Sequence, residues 1–195
     1  MQKIIIYIFI LFTFSCVNKK DRLISELKST VEYVSENKDS LTAEMLVVYD
    51  SQITDLEKIT FPSQQKNMSP EEINQVNIFL KKYSVLKSRI EVREFINKLK
   101  NIVKYISENQ SNISSETLEV YNSKIFDLRE DKFLLYRNEM TVEEINDVNL
   151  LFGKYDALII KIHLNDFKNI LNDGLNILND GLIQGSNTIN ELLSK

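Results

Sequence analysis

Residues 21–90 and 93–162 align without a gap at an offset of 72, and 28 of the 70 aligned pairs are identical. A unit repeated in tandem at this length must bury the same apolar positions twice, so the register separates framework residues from free ones. In the first copy Leu23, Leu27, Val31 and Val34 recur at three- and four-residue spacing, with Ile24 and Thr30 widening the face. Phe95, Leu99, Val103 and Ile106 answer them, so one amphipathic helix is written twice. Both stretches close on Ser-Glu-Asn, at 35–37 and 107–109.

A second helix is predicted to start after Thr42 and, in the other copy, after Ser114, since either hydroxyl can cap free amides. Its apolar side is read as Met45, Val48 and Leu56 with Tyr49 and Ile53, Gln52 lying toward the edge. The second copy has Thr117, Val120 and Leu128 with Tyr121 and Ile125, and Lys124 at the edge. The following stretch diverges, TFPSQQKN against KFLLYRNE, and Pro62 predicts a break in the helix. Phe61 and Phe133 stay matched and are expected to plug the turn. A third helix opens on Ser69-Pro70-Glu71-Glu72 and on Thr141-Val142-Glu143-Glu144, each a cap followed three residues later by an acid. Its face, Ile73, Val76, Leu80, Tyr83 and Leu86, is too wide for one neighbour to cover and suits a three-helix bundle.

No proline or glycine follows Pro70 before Asn109, so the third and fourth helices are expected to join into one of about forty residues, about 60 Å long. A short break within 88–93 is the alternative. The predicted fold is therefore all-α: two tandem three-helix bundles, residues 21–90 and 91–162, sharing a long central helix, plus a C-terminal helical segment at 163–195. In that last segment Phe167, Leu171, Leu175, Leu178 and Leu182 form a stripe, and Asn-Asp-Gly recurs at 172–174 and 179–181. Gly174 and Gly181 fall on one side, where they would permit close helix packing. The segment is expected to dock on the second bundle; assembly or a membrane surface is the alternative, although the opposite side lacks the lysine band of surface-seeking helices.

The first sixteen residues carry a basic residue at Lys3, an apolar run from Ile4 to Phe14, and Ser15-Cys16. About eleven apolar-biased residues are too few for a bilayer span and fit a secretory signal. The segment resembles a bacterial lipoprotein signal, with 1–15 removed, Cys16 as the lipid-attachment residue and 16–20 as a tether. That resemblance implies a membrane-anchored protein of the cell envelope. Val17 in place of an aspartate after the cysteine implies the outer membrane. Cys16 is the only cysteine, which excludes an intrachain disulfide and a Cys-based metal cluster. A net charge of −4 gives no basic face for nucleic acid.

Chemistry-bearing patterns are scarce. His163, the only histidine, lies just beyond the repeat and has no partner at zinc-ligand spacing. The carboxylates shared by both copies include Glu71-Glu72 and Glu143-Glu144, which helix capping explains, so no catalytic residue, metal or cofactor is assigned. The pair Asn74/Asn77, repeated as Asn146/Asn149, is read as buried amides marking register, bonded across to Tyr49 and Tyr121 or a nearby loop; a ligand-binding patch is the other reading.

The signal and the Ile- and Asn-rich repeated bundle together resemble the small all-helical lipoproteins of Bacteroidota whose domains carry no assigned function. The expected role is a non-enzymatic, lipid-anchored envelope protein, a helical scaffold or interaction module with an envelope protein partner and no nucleic acid. The alternative is a small-ligand or lipid-binding protein using a groove between helices.

Overall fold

The computed structural model describes residues 18–193, with side chains up to residue 184. Among the described residues the chain is all-helical, with no strand. The elements are α1 (Lys19–Glu36), α2 (Ala43–Asp55), α3 (Phe61–Gln64), α4 (Pro70–Asn109), α5 (Ser115–Asp127), α6 (Phe133–Tyr136) and α7 (Val142–Leu193). The chain divides into two compact units between Glu91 and Val92.

In the first unit, α1 buries Leu23, Leu27, Thr30, Val31 and Val34. These meet Leu46, Ile53 and Leu56 from the second helical stretch, and Val76, Tyr83 and Ile90 from α4. The core of the second unit uses Phe95, Leu99, Val103 and Ile106, then Leu118, Ile125 and Leu128, then Val148, Phe152, Tyr155 and Ile162. The inward face of α2 is rotated from the one read in the sequence. Leu46 is buried, whereas Met45 and Val48 are exposed, and Val120 is exposed beside buried Leu118. Leu46 and Ile53 lie seven residues apart and so share a face, which turns Val48 outward.

The ends of these helices follow their capping chemistry. Thr42 Oγ1 accepts from the Met45 amide at 3.2 Å, and Ser114 Oγ from the Thr117 amide at 3.2 Å. Asn37 Nδ2 donates back to the Tyr33 carbonyl at 2.9 Å, as Asn109 Nδ2 does to Tyr105 at 2.8 Å, which satisfies a carbonyl left open where the helix stops. Reciprocal capping boxes start α4 and α7. The Ser69 amide donates to Glu72 Oε2 at 2.7 Å and the Glu72 amide to Ser69 Oγ at 3.2 Å. Thr141 and Glu144 repeat this at 2.8 and 3.2 Å. In the first unit Lys20 adds an ion pair to Glu72 at 2.8 Å, and this ammonium, ahead of the Ser69 amide, holds the Glu72 carboxyl below its ordinary value.

The stretch containing Pro62 does not break. α2 passes into a π-helical turn at Leu56–Thr60, then α3, then a 3-10 turn at Gln65–Asn67. The second unit does the same at Leu128–Lys132, α6 and Arg137–Glu139. Its counterpart to Pro62 is Leu134, so proline is not what causes the wide turn. The i→i+5 step lets the Phe61 amide reach the Leu56 carbonyl, and Phe133 reach Leu128. Each phenylalanine is partly buried against the core of its own unit, and Pro62 enters the next helical turn early enough that its missing N–H costs little.

α4 contains 40 residues and is helical throughout 88–93, with Ile90 in the first core and Val92 in the second. α7 contains 52 residues, so 163–193 continues it without a new start. The expected docking of that segment is not found: every residue from 163 to 184 is exposed, and nothing lies within 4 Å of a Cβ built at Gly174 or Gly181.

The rotated α5 face is testable by urea unfolding. Leu118→Ala lowers stability by about 2–5 kcal/mol, whereas Val120→Ala stays within about 0.5 kcal/mol. Equal losses would contradict the assignment.

Candidate functional site

Two tyrosines and their acceptors form the polar link repeated inside both units. Tyr83 on α4 donates to Asp50 Oδ1 on α2 at 2.8 Å, and Tyr155 on α7 donates to Asn122 Oδ1 on α5 at 2.7 Å. Both rings are buried, at 4% and 3% exposure, so each hydroxyl needs an internal acceptor. The acceptors occupy equivalent positions but differ in charge. Asp50 also receives Lys87 Nζ at 2.6 Å, and Lys87 in turn lies 3.9 Å from Glu91. In the second copy the equivalents of Asp50, Lys87 and Glu91 are Asn122, Ile159 and His163. Carboxylate and ammonium are thus replaced together by an amide and an alkyl chain, which keeps the bond to tyrosine and leaves no unpaired charge.

Tyr49 and Tyr121 do not meet the repeated asparagines. Tyr49 lies 5.4 Å from Tyr33 between ring centroids, and Tyr121 lies 4.9 Å from Tyr105, both tilted. Burial first, then the Tyr33 hydroxyl, pushes Tyr49 up to about 12. Lys124 stands 5.0 Å over the Tyr121 ring, so this position, Gln52 in the other copy, makes a cation–π contact.

Around Phe133 the second unit is remodelled as an aromatic cluster. Phe95 stacks on it at 6.4 Å, Phe152 meets it edge-on at 6.0 Å, and Tyr136 lies 5.9 Å from Phe95. The first copy has Leu23, Leu80 and Gln64 at those three positions around Phe61. Arg129 closes the outside, 4.7 Å over the Phe152 ring and donating to Asp156 at 2.9 and 3.0 Å. This is packing chemistry.

The four asparagines read as buried register marks are exposed, which overturns that reading. Asn74 and Asn77 lie on the side of α4 away from Val76, and Asn146 and Asn149 lie on the side of α7 away from Val148. Three-residue spacing places each pair on one face, but Val76 and Val148, the inward residues, lie between them in sequence and point the other way. Their side-chain amides make no hydrogen bond to another described residue, while their backbone groups bond within α4 and α7. Each pair is followed by an exposed aliphatic residue, Ile78 at 54% and Leu150 at 57%. The outer faces of the two copies therefore carry the same motif: two amides beside an apolar side chain.

A shallow recess of about 150 Å³ lies in the second unit between the start of α5 and α7, lined by Ser115, Glu119, Asn122, His163 and Asp166 over Ile113, Leu118 and Ile162. Its acidic groups and imidazole do not converge: among the described residues no three His, Cys, Asp or Glu side chains could hold a metal ion. Nor is any described helix long and apolar enough to cross a membrane. Cys16 lies outside the described residues. No family model, curated protein or solved structure matches the chain.

Asp50, Lys87 and Asn122 are the residues that inspection of identical pairs overlooks. Their signal is a joint change between copies, Asp with Lys against Asn with Ile, beneath an unchanged tyrosine. Double-mutant unfolding tests the pairing. Asp50→Asn and Lys87→Ile each destabilise, and the double variant, which copies the second unit, recovers about 0.5–1 kcal/mol relative to their sum. Strict additivity would contradict it.

The second link gives a pH signature. Tyr155 is pushed up to about 12 from 10.0, first by burial and then by Asp156. Because the folded value is the higher one, the stabilisation is complete below pH 10.0 and is lost as pH rises toward 12. Tyr155→Phe is expected to flatten the fall in urea-measured stability across that window. An unchanged slope would place the titration elsewhere.

Proposed function

We propose that this protein is a non-enzymatic helical scaffold built from two like three-helix units, residues 21–90 and 91–162, which share α4. It is tethered through Cys16 to the outer membrane and presents one surface motif twice to an envelope protein partner. The observation that carries this reading is the outer-face pair Asn74/Asn77, repeated as Asn146/Asn149 at exposed positions. Asparagine is a poor helix former in a helix interior, and at these exposed sites its side chain neither caps the helix nor hydrogen-bonds within the chain. Its retention in both copies, each beside Ile78 or Leu150, favours an external contact in which amides surround a small apolar spot.

Duplication adds a quantitative advantage. Two equivalent sites on one chain make the second contact intramolecular, so weak single-site binding becomes firm when the partner is itself repeated. The small-ligand alternative draws no support from the recess in the second unit, whose volume of about 150 Å³ is below the roughly 300–1,000 Å³ of typical ligand pockets. The signal-like segment ending at Cys16 supports the envelope setting.

Crosslinking and affinity recovery of the native full-length protein from envelopes tests this reading. A reproducible partner protein is expected with the parent chain, weakened by Asn74→Arg or Asn146→Arg and lost when both are present, with helical content unchanged by circular dichroism. Cys16→Ala is expected to release the protein from the membrane fraction. Failure to recover a partner, or full recovery with the double variant, would contradict the scaffold role.

A further inference from the structure

We infer that residues 164–182 of α7 are a homotypic assembly face, covered in the working protein by the same segment of a second copy of this chain. The sequence NILNDGL occurs twice in immediate succession, at 169–175 and 176–182. On a helix of 3.6 residues per turn, a strict seven-residue repeat drifts by about 20° per heptad, and only a partner that supercoils with it keeps the stripe covered.

Leu164, Leu171 and Leu178 form one row, with Leu175 and Leu182 beside it, and all five are more than half exposed. Gly174 and Gly181 continue the row of Phe167, each opening onto space that a second backbone can approach. Both glycines also weaken a lone helix by about 1 kcal/mol each, a cost recovered where close approach matters. With Ile170 and Ile177 included, the face offers on the order of 1,000 Å² of apolar surface per copy, against roughly 800 Å² per partner in a stable interface.

The charge pattern selects the occupant. Asp166, Asp173 and Asp180 lie seven residues apart on the far side of the helix, so two copies meet without opposing carboxylates. Within 164–182 the only cation is Lys168, so the segment lacks the basic band that would hold it against anionic headgroups. An identical heptad in both partners also lets every row meet its own kind, which a partner without the repeat cannot offer along this length.

The test uses full-length protein in its native envelope, co-expressed with two different tags and carrying Gly174→Cys or, in a separate chain, Leu178→Cys. Mild oxidation is expected to give a disulfide-linked species of twice the monomer mass bearing both tags, while the parent chain, with Cys16 alone, gives none. Adding Leu171→Asp and Leu175→Asp to the Leu178→Cys chain reduces that species at least about tenfold, because carboxylates would be buried in the interface. Absence of the doubly tagged species at both positions would overturn the inference. Crosslinking only to a different protein, or protection of both cysteines from an aqueous maleimide without any crosslink, would assign the face to another partner or to lipid and would equally overturn it.

Discussion

A buried tyrosine hydroxyl that must find an acceptor sets the arrangement of each unit. Tyr83 and Tyr155 lie in the middle of otherwise apolar faces, and leaving either hydroxyl unbonded would cost about 1–3 kcal/mol. Only a residue at the position of Asp50 or Asn122 supplies the oxygen, at 2.8 and 2.7 Å, so helical register is chosen by a polar contact inside apolar packing. Apolar stripes alone would tolerate sliding by a turn, whereas this bond does not. The charge state around it is free to vary provided it varies in concert, and the exchange of Asp50 and Lys87 for Asn122 and Ile159 is such a concerted change.

Much of the fold was legible because periodicity and capping are local. The stripe of α1, the caps at Thr42 and Ser114, and both capping boxes follow from residue spacing and hydroxyl or carboxylate reach, and the structure has them where the sequence puts them. Three features were illegible for physical reasons. The face of α2 offers Met45, Val48 and Leu46 as nearby alternatives, and only the neighbouring helices decide that Leu46 turns inward. The π-helical turns have no residue signature here, since one copy carries Pro62 and the other Leu134 in the stretch that follows. The repeated asparagines look like core polar groups by their regularity, yet their angular position puts them on solvent.

Two exposed surfaces carry a pattern that repeats along the sequence. One is the outer amide face repeated in both units; the other is the uncovered stripe of α7 beyond Ile162, where Gly174 and Gly181 face open space. They differ in chemistry: exposed amides beside a single aliphatic residue suit a polar, reversible contact, whereas a continuous heptad stripe suits a drier helical one. The tether proposed at Cys16 would bring copies into one plane, which favours weak side-by-side association.

The central proposal is that one folded unit is present twice and is followed by a helical stretch whose residues 163–184 are exposed. Hydrogen–deuterium exchange along the full-length chain tests it most directly. Protected amides are predicted in pairs offset by 72 residues, at 23–34 with 95–106, 46–56 with 118–128 and 73–90 with 145–162, and protection of 163–184 should rise with protein concentration. Protection confined to one copy, or concentration-independent protection of 163–184 equal to that of the cores, would contradict it.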